Sequence, residues 1–521
     1  MIKKVGVIVL SVLVASSIFV GCKSKHQATN GGKSTVKTLV YAQGSDPRGL
    51  DPAYVDDGES AKVTGNIYEG LVKYKADSTD IEPSLATSWK ISEDGKTYDF
   101  ILRKGVKFQD GTDFNADAVK YNIERQLPPK ATDDMPYASF CFGEVDHVEK
   151  VNNYEIKIIL KEASTPFLAN LAMTLAAPIV SPTAAQKYNG NLNEHPVGTG
   201  PFKFVKWEKA QDIQLERNDN YWGTKAKVDK VVFKFIKENS VRASELIAGT
   251  SDIIDGIDAS DIKKLEDNKL KIFNEPGMNI NYMAFNTSRA PFNDPKLREA
   301  ISHAINKEEM VKSLYQGYAS VAETTMPSFI PGYDSTAKSY GYDVDKAKQL
   351  LKDEGKENLS IKILAYSNPR PYNAAAQKLA ESIQSYLEKV GVKATIDTYP
   401  WTEYKQKAAQ GEGDIMLYGW IGDNGDADNF LSLFDSSQIQ STLNVAKYSN
   451  PQVDELLKKG RVTPNGDARN EIYKQVQQLV LKDAAWLPIS HAQSLAAYSP
   501  KVKNFKIHST GSVFLAGVDK D

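Results

Sequence analysis

Residues 360–398 read as strand, helix, strand. Ser360 to Tyr366 is β-rich, residues 374–390 carry apolar residues at helical spacing, and Lys393 to Thr398 is extended again. Such a unit needs a sheet with a helix packed across it. The rest of the chain continues the alternation. Strands are expected at 37–42, 89–92, 97–103, 155–160, 202–207, 231–236, 279–286, 414–418 and 486–492. Helices are expected at 61–68, 116–125, 241–248, 295–318, 345–354, 453–460 and 468–482. Asn115 is placed to cap the second of these helices, and Asp94-Gly95 marks a hairpin turn. The class is therefore α/β, or α+β with mixed sheets.

A length of 521 residues exceeds one ordinary core and points to two or three domains. The formal net charge is −2, and no basic stripe interrupts the mature part, so nucleic acid is excluded as the main partner. None of the six histidines (26, 147, 195, 303, 491, 508) pairs with another at metal-ligand spacing. There is no G-x-S-x-G elbow and no dinucleotide fingerprint, and Cys141 reads as a buried small hydrophobe. Asn30 to Ser34 looks like the end of a phosphate loop, but Gln27 stands where Gly is required and no strand precedes it. No catalytic residue, metal or cofactor is expected.

The first residues form an address. Lys3 and Lys4 precede an almost wholly apolar run, 5–20, then Gly21-Cys22 and a polar stretch, 23–35. The layout resembles a bacterial lipoprotein signal, with Phe19 where Leu is usual. It implies a signal peptide over 1–21, a lipid-modified Cys22 and a flexible tether over 22–35. The alternative is an uncleaved membrane anchor, for which the run is short. No other stretch is apolar for long enough to span a bilayer. The body is expected to lie on the extracytoplasmic face, held to the membrane by lipid alone.

Three segments stand out in the second half: Asn368-Pro369-Arg370-Pro371-Tyr372-Asn373, Tyr399 to Tyr404 with Trp401, and Gly419 to Phe430 with Trp420, Gly422 and Asp423. Each follows an expected strand, where open α/β sheets place ligand sites. One Arg, two Trp and an acidic Gly-rich loop suit a small zwitterion. A ligand ammonium taken out of water needs a carboxylate, and a ligand carboxylate needs a fork of donors. Indole faces accept many side-chain shapes. Plainer readings stay open: Arg370 as a solvated turn, Asp423 to Asp428 as a calcium loop, Asp426 and Asp428 as helix caps, and both Trp as core.

The chain resembles the family 5 extracellular solute-binding proteins. The family-wide markers are Leu85-Ala86-Thr87-Ser88-Trp89, Leu102 to Phe108, Gly198-Thr199-Gly200-Pro201-Phe202 and Asn220-Tyr221-Trp222-Gly223. Arg370 to Asn373 and Gly422 to Asp426 look like the dipeptide-binding subgroup of ABC importers, with Ala427 where that subgroup often has Pro. The resemblance implies a two-lobed, type II binding-protein fold with an extra subdomain. One lobe would span 36–275 and 495–521, the other 276–494, with hinge crossings near 276–286 and 486–495. It implies that Asp423 takes a peptide ammonium and Arg370 its carboxylate, that Trp401, Trp420 and Tyr372 line the walls, and that a loop near Asp56 and Gly58 closes on the ligand. The implied partners are a dipeptide or short peptide and ABC permease subunits, met by a monomer that makes and breaks no bond. Longer peptides, haem, a nickel complex or a sensing role are the competing expectations.

Overall fold

A computed structural model describes residues 36–441 and 443–521. The leader, Cys22 and the tether lie outside these residues. Twelve strands join in one mixed sheet. Across it run Lys393–Tyr399, Ser360–Tyr366, Ile415–Ile421, Asn279–Phe285, Trp486–Tyr498, Ile253–Asp255, Thr38–Gln43, Lys230–Phe235, Asp212–Arg217 and Phe202–Glu208. Lys271–Pro276 and Ala319–Val321 also pair with Trp486–Tyr498.

The strand Trp486–Tyr498 organises the whole. Its first half pairs with Asn279–Phe285, and its second half pairs with Ile253–Asp255 and Lys271–Pro276. Asn279–Phe285 is buried at every position, as a strand covered on both faces must be. The apolar cores divide along the same strand. One draws only on residues between Met278 and Ile489. Another combines residues 39–253 with residues 496–518. A third, within residues 55–179, packs a separate four-stranded antiparallel sheet, Ala86–Ile91, Thr97–Leu102, Glu155–Leu160 and Val145–Asn152. The fold is two-lobed, with that small sheet as an extra subdomain.

Most expected elements form, with shifted ends. The strand expected to stop at 492 runs on to Tyr498. The helix expected over 295–318 is two helices, Pro295–Ala304 and Lys307–Tyr315. The break falls where Asn306 caps the second helix by accepting the Glu309 N–H, at 3.1 Å. Apolar spacing continued through the break, but a cap residue won locally.

Two of the sequence markers meet on one carboxylate. Glu69 accepts hydrogen bonds from Thr199 Oγ1, Tyr221 Oη and Trp222 Nε1, each at 2.7 Å. Gly198 and Gly200 pass so close to the helix Gly58–Ile67 that a Cβ would lie 2.2 and 2.6 Å from the Ile67 carbonyl oxygen. Glu69→Ala leaves three donors without their acceptor. It is expected to cost about 3 kcal/mol, measured by denaturant or thermal unfolding. A loss below about 0.5 kcal/mol would show that water replaces the carboxylate without penalty.

Candidate ligand-binding site

Ser360–Tyr366 lies parallel to both Lys393–Tyr399 and Ile415–Ile421, with Tyr366 beside Tyr399 and Ile363 beside Ile415. The three segments singled out in the sequence therefore leave the sheet at one edge. The first two are also tied together, because Asn368 Oδ1 accepts the Trp401 N–H at 2.8 Å. The second segment is not a loop throughout: Trp401 opens the helix Trp401–Ala409. Pro400 before it supplies the fixed entry dihedral.

Arg370 and Asn373 exchange backbone hydrogen bonds at 3.0 and 2.9 Å, so Pro371-Tyr372 forms the tip of a tight turn. The Arg370 guanidinium lies 4.4 Å over the Trp401 ring, and its Nε has no hydrogen-bond partner. Trp401 is half-buried against Tyr366, Tyr404 and Tyr418. Tyr372 packs against Gly419, where a Cβ would sit 2.2 Å from its ring. Burial pushes the Tyr372 hydroxyl up to about 12. The buried hydroxyls of Tyr366 and Tyr372 and the amide nitrogen of Asn373 likewise have no close partner, although Arg370 and Tyr366 act to lower the Tyr372 hydroxyl and Asn373 the Tyr366 hydroxyl. Hydrogen-bond donors are thus in surplus around Arg370.

At Asp423 the surplus is reversed. Its Oδ1 accepts from Tyr137 Oη at 2.8 Å and its Oδ2 from Asn429 Nδ2 at 3.2 Å. Asn429 Oδ1 in turn accepts from Trp420 Nε1 and from the Asp423 N–H. Among the described residues no cation bears on the acid. Burial lifts its carboxyl to about 6, and the bonds from Tyr137 and Asn429 offset only part of that. Gly422 leaves room for Phe430, whose ring would meet a Cβ at 2.6 Å.

Asp426 and Asp428 have other work. Asp426 caps the short helix Ala427–Leu431 and is held by two bonds from Arg469, at 2.7 and 2.8 Å. Asp428 pairs with Arg461 at 3.0 Å. Asp426 thus fits the helix-cap reading, whereas Asp428 lies within the helix as the partner of Arg461, and both carboxylates are already engaged by guanidinium groups.

The acidic loop meets the extra subdomain. Asn424 Nδ2 donates to Asn170 Oδ1 at 2.6 Å, and at Gly425 a Cβ would land 2.4 Å from Thr79. Thr165 adds two bonds of 2.8 Å, to the carbonyls of Arg461 and Thr463. Asp56 is exposed and pairs with Arg48 at 2.6 Å rather than with any of the three segments. Its charge is the least of the influences that raise the Tyr137 hydroxyl, after burial, Asp423 and Cys141. Gly58 is the exposed first residue of its helix, capped by Asp57. Tyr137 was not foreseen. It sits in a stretch without strand or helix pattern, far in sequence from Asp423.

Residues 80–442 match the model of "Bacterial extracellular solute-binding proteins, family 5 Middle". The chain belongs to this family. It is 35% identical to Heme-binding protein A of Haemophilus influenzae, over 98% of this chain and 98% of that protein. It is 34% identical to the Dipeptide-binding protein of Escherichia coli, over 91% and 93%. Among solved structures, the ABC transporter-associated periplasmic binding protein DppA of Helicobacter pylori, in complex with the peptide STSA, superimposes with a TM-score of 0.78. That likeness comes at 35% identity and covers 93% of this chain and 98% of that one. No helix among the described residues of this solute-binding protein is long and apolar enough to cross a membrane.

The lone carboxylate has a measurable signature. Asp423 holds its proton more tightly in the fold than in the unfolded chain, where an aspartate titrates near 3.9. Protonation therefore contributes stability that is complete below about pH 4 and lost as pH rises through about 6. Asp423→Asn cannot ionise and keeps an acceptor for Tyr137. With the lobes closed so that Tyr137 meets Asp423, it should melt above the wild type at pH 8 and together with it near pH 4. Equal melting at both values would mean that the carboxylate is compensated.

Proposed function

We propose that this chain captures short peptides, dipeptides above all, for an ABC importer, closing its two lobes on the ligand and presenting it to a permease. The observation that carries this reading is the pair of unanswered groups at one sheet edge. Asp423 is a carboxylate without a cation, and Arg370 is a guanidinium with a free Nε amid unpartnered donors. A zwitterion supplies both missing charges. Trp401, Trp420 and Tyr372 provide the walls between them, and the loop at Asp56 and Gly58 approaches from the other lobe. Division of the lobes at 276–286 and 486–495 follows the separation of the apolar cores. The relatives named for dipeptide binding and solved with a peptide support the ligand class. No bond is made or broken; closure is the whole mechanism.

Haem is the second reading, favoured by the identity to Heme-binding protein A. Against it, the buried His508 has its Nε2 at the carbonyls of Lys75 and Ser78, and the half-buried His491 has its Nδ1 at the Asn279 carbonyl.

Calorimetric titration with one dipeptide, its one-residue extension and haem tests the assignment. The dipeptide should bind at least about a hundredfold tighter than the tripeptide, because the longer ligand carries its carboxylate past Arg370. Arg370→Ala should weaken the dipeptide and narrow that gap. Equal affinity for both lengths would favour an oligopeptide binder of the same fold, and tight haem binding with none for peptides would replace the ligand class. Membrane attachment through Cys22 is tested separately. Cys22→Ala should leave the protein unprocessed or free of the membrane; a processed variant that still sediments with membranes would refute a lipid anchor.

A further inference from the structure

Behind Arg370 a line of buried polar side chains leads away from the site. Asn373 closes the Arg370 turn through its backbone, and its Oδ1 accepts from Tyr315 Oη at 3.0 Å. Tyr315, the last residue of Lys307–Tyr315, accepts from Asn281 Nδ2 at 3.2 Å. The same Asn281 nitrogen reaches Ser490 Oγ at 3.3 Å. Asn373, Asn281 and Ser490 are fully buried and Tyr315 is 9% exposed. Buried polar groups in a solute-binding protein need partners, and apolar residues would fill the space at less cost.

The far end of the line is the place where the chain passes between lobes. Asn281 and Ser490 face each other across the two crossing strands, and the ladder shifts register between Asn281 and Tyr282. Two residues on, the Asn279 side chain replaces ladder bonds, giving and accepting one each with the Ala492 backbone at 2.8 Å. Beyond Ala492 the long strand pairs with Lys271–Pro276 instead. The crossing is therefore held by side-chain amides at the point where a regular ladder gives way, and such bonds can rearrange without unzipping a strand.

We propose that Asn373, Tyr315 and Asn281 form a positioning relay through which the Arg370 turn, once it holds a ligand carboxylate, is tied to the strand crossing at Ser490–Ala492. The relay rests on the assignment of Arg370 to the peptide carboxylate. It gives Tyr315 a role at a distance from the ligand: fixing the turn against the crossing so that a bound carboxylate is felt where the lobes bend. The unpartnered Oδ1 of Asn281 and Nδ2 of Asn373 lie in this same line, and each leaves the relay an unused bond that a shifted arrangement can make.

Tyr315→Phe separates the relay from the fold. Without the hydroxyl, Asn373 Oδ1 keeps the Ala375 N–H and Asn281 keeps Ser490. The test compares a dipeptide with its C-terminal amide, by calorimetry and by hydrogen exchange of residues 490–493. In the wild type the acid should bind at least about thirtyfold tighter than the amide, and should slow exchange at the crossing more at equal occupancy. Tyr315→Phe should cut the acid-to-amide ratio by about fivefold and abolish the difference in exchange. Ser490→Ala, at the other end of the line, should also abolish the exchange difference, and it serves alone if the Tyr315 variant fails to fold. A wild type that binds acid and amide equally overturns the Arg370 assignment and the relay together. A wild type that discriminates, with variants that keep the full ratio and the full exchange difference, overturns the relay and leaves the assignment standing.

Discussion

A half-buried carboxylate without a counter-charge is the constraint from which the rest of the site follows. Asp423 is kept by one phenol and one amide, both neutral. Neutral donors cannot fully replace hydration of a charged oxygen, so the closed arrangement carries a deficit that a cation removes. The surroundings preserve that deficit. Arg461 and Arg469, which pack against the acidic loop, are engaged with Asp428, Asp435 and Asp426. Those ion pairs hold the loop rigid and keep its cations turned away from Asp423.

The opposite imbalance at Arg370 is maintained by aromatic packing. The guanidinium rests on the Trp401 ring, and Trp401 rests on Tyr366, Tyr404 and Tyr418. A cation over an indole face is stabilised while its N–H edge stays open for a hydrogen-bonding partner. Gly419 allows Tyr372 to lie against the strand, which fixes the turn that carries Arg370. Sheet edge, turn and aromatic stack thus present one charge of each sign, each short of partners.

Much of this was legible in the sequence, and unevenly. The three segments after strands, and Arg370, Trp401 and Asp423 within them, could be read because strand periodicity and loop chemistry are local properties. The break at Asn306 was harder, since one cap residue outweighed an apolar repeat that continued past it. Tyr137 was out of reach. Its bond to Asp423 joins residues 286 apart in the chain, and nothing near Tyr137 announces the partner. The same holds for Glu69, whose three donors come from two motifs that sequence alone marks only as family signatures. Local pattern locates the loops, while the partners that set their electrostatics come from across the fold.

Residues 277–492 depart from and return to the rest of the protein at a single rung, for Pro276 stands opposite Gln493 in an antiparallel pair. Topologically, everything between is one uninterrupted insertion, with its own apolar core, whose two ends sit about 5 Å apart. A short linker can therefore close that stretch on itself, or bridge the gap left by its removal, without stretching either piece. Topologically, the stretch bearing Arg370 and Asp423 can be exchanged as one block while the frame that carries Glu69 and its markers keeps its own pairings.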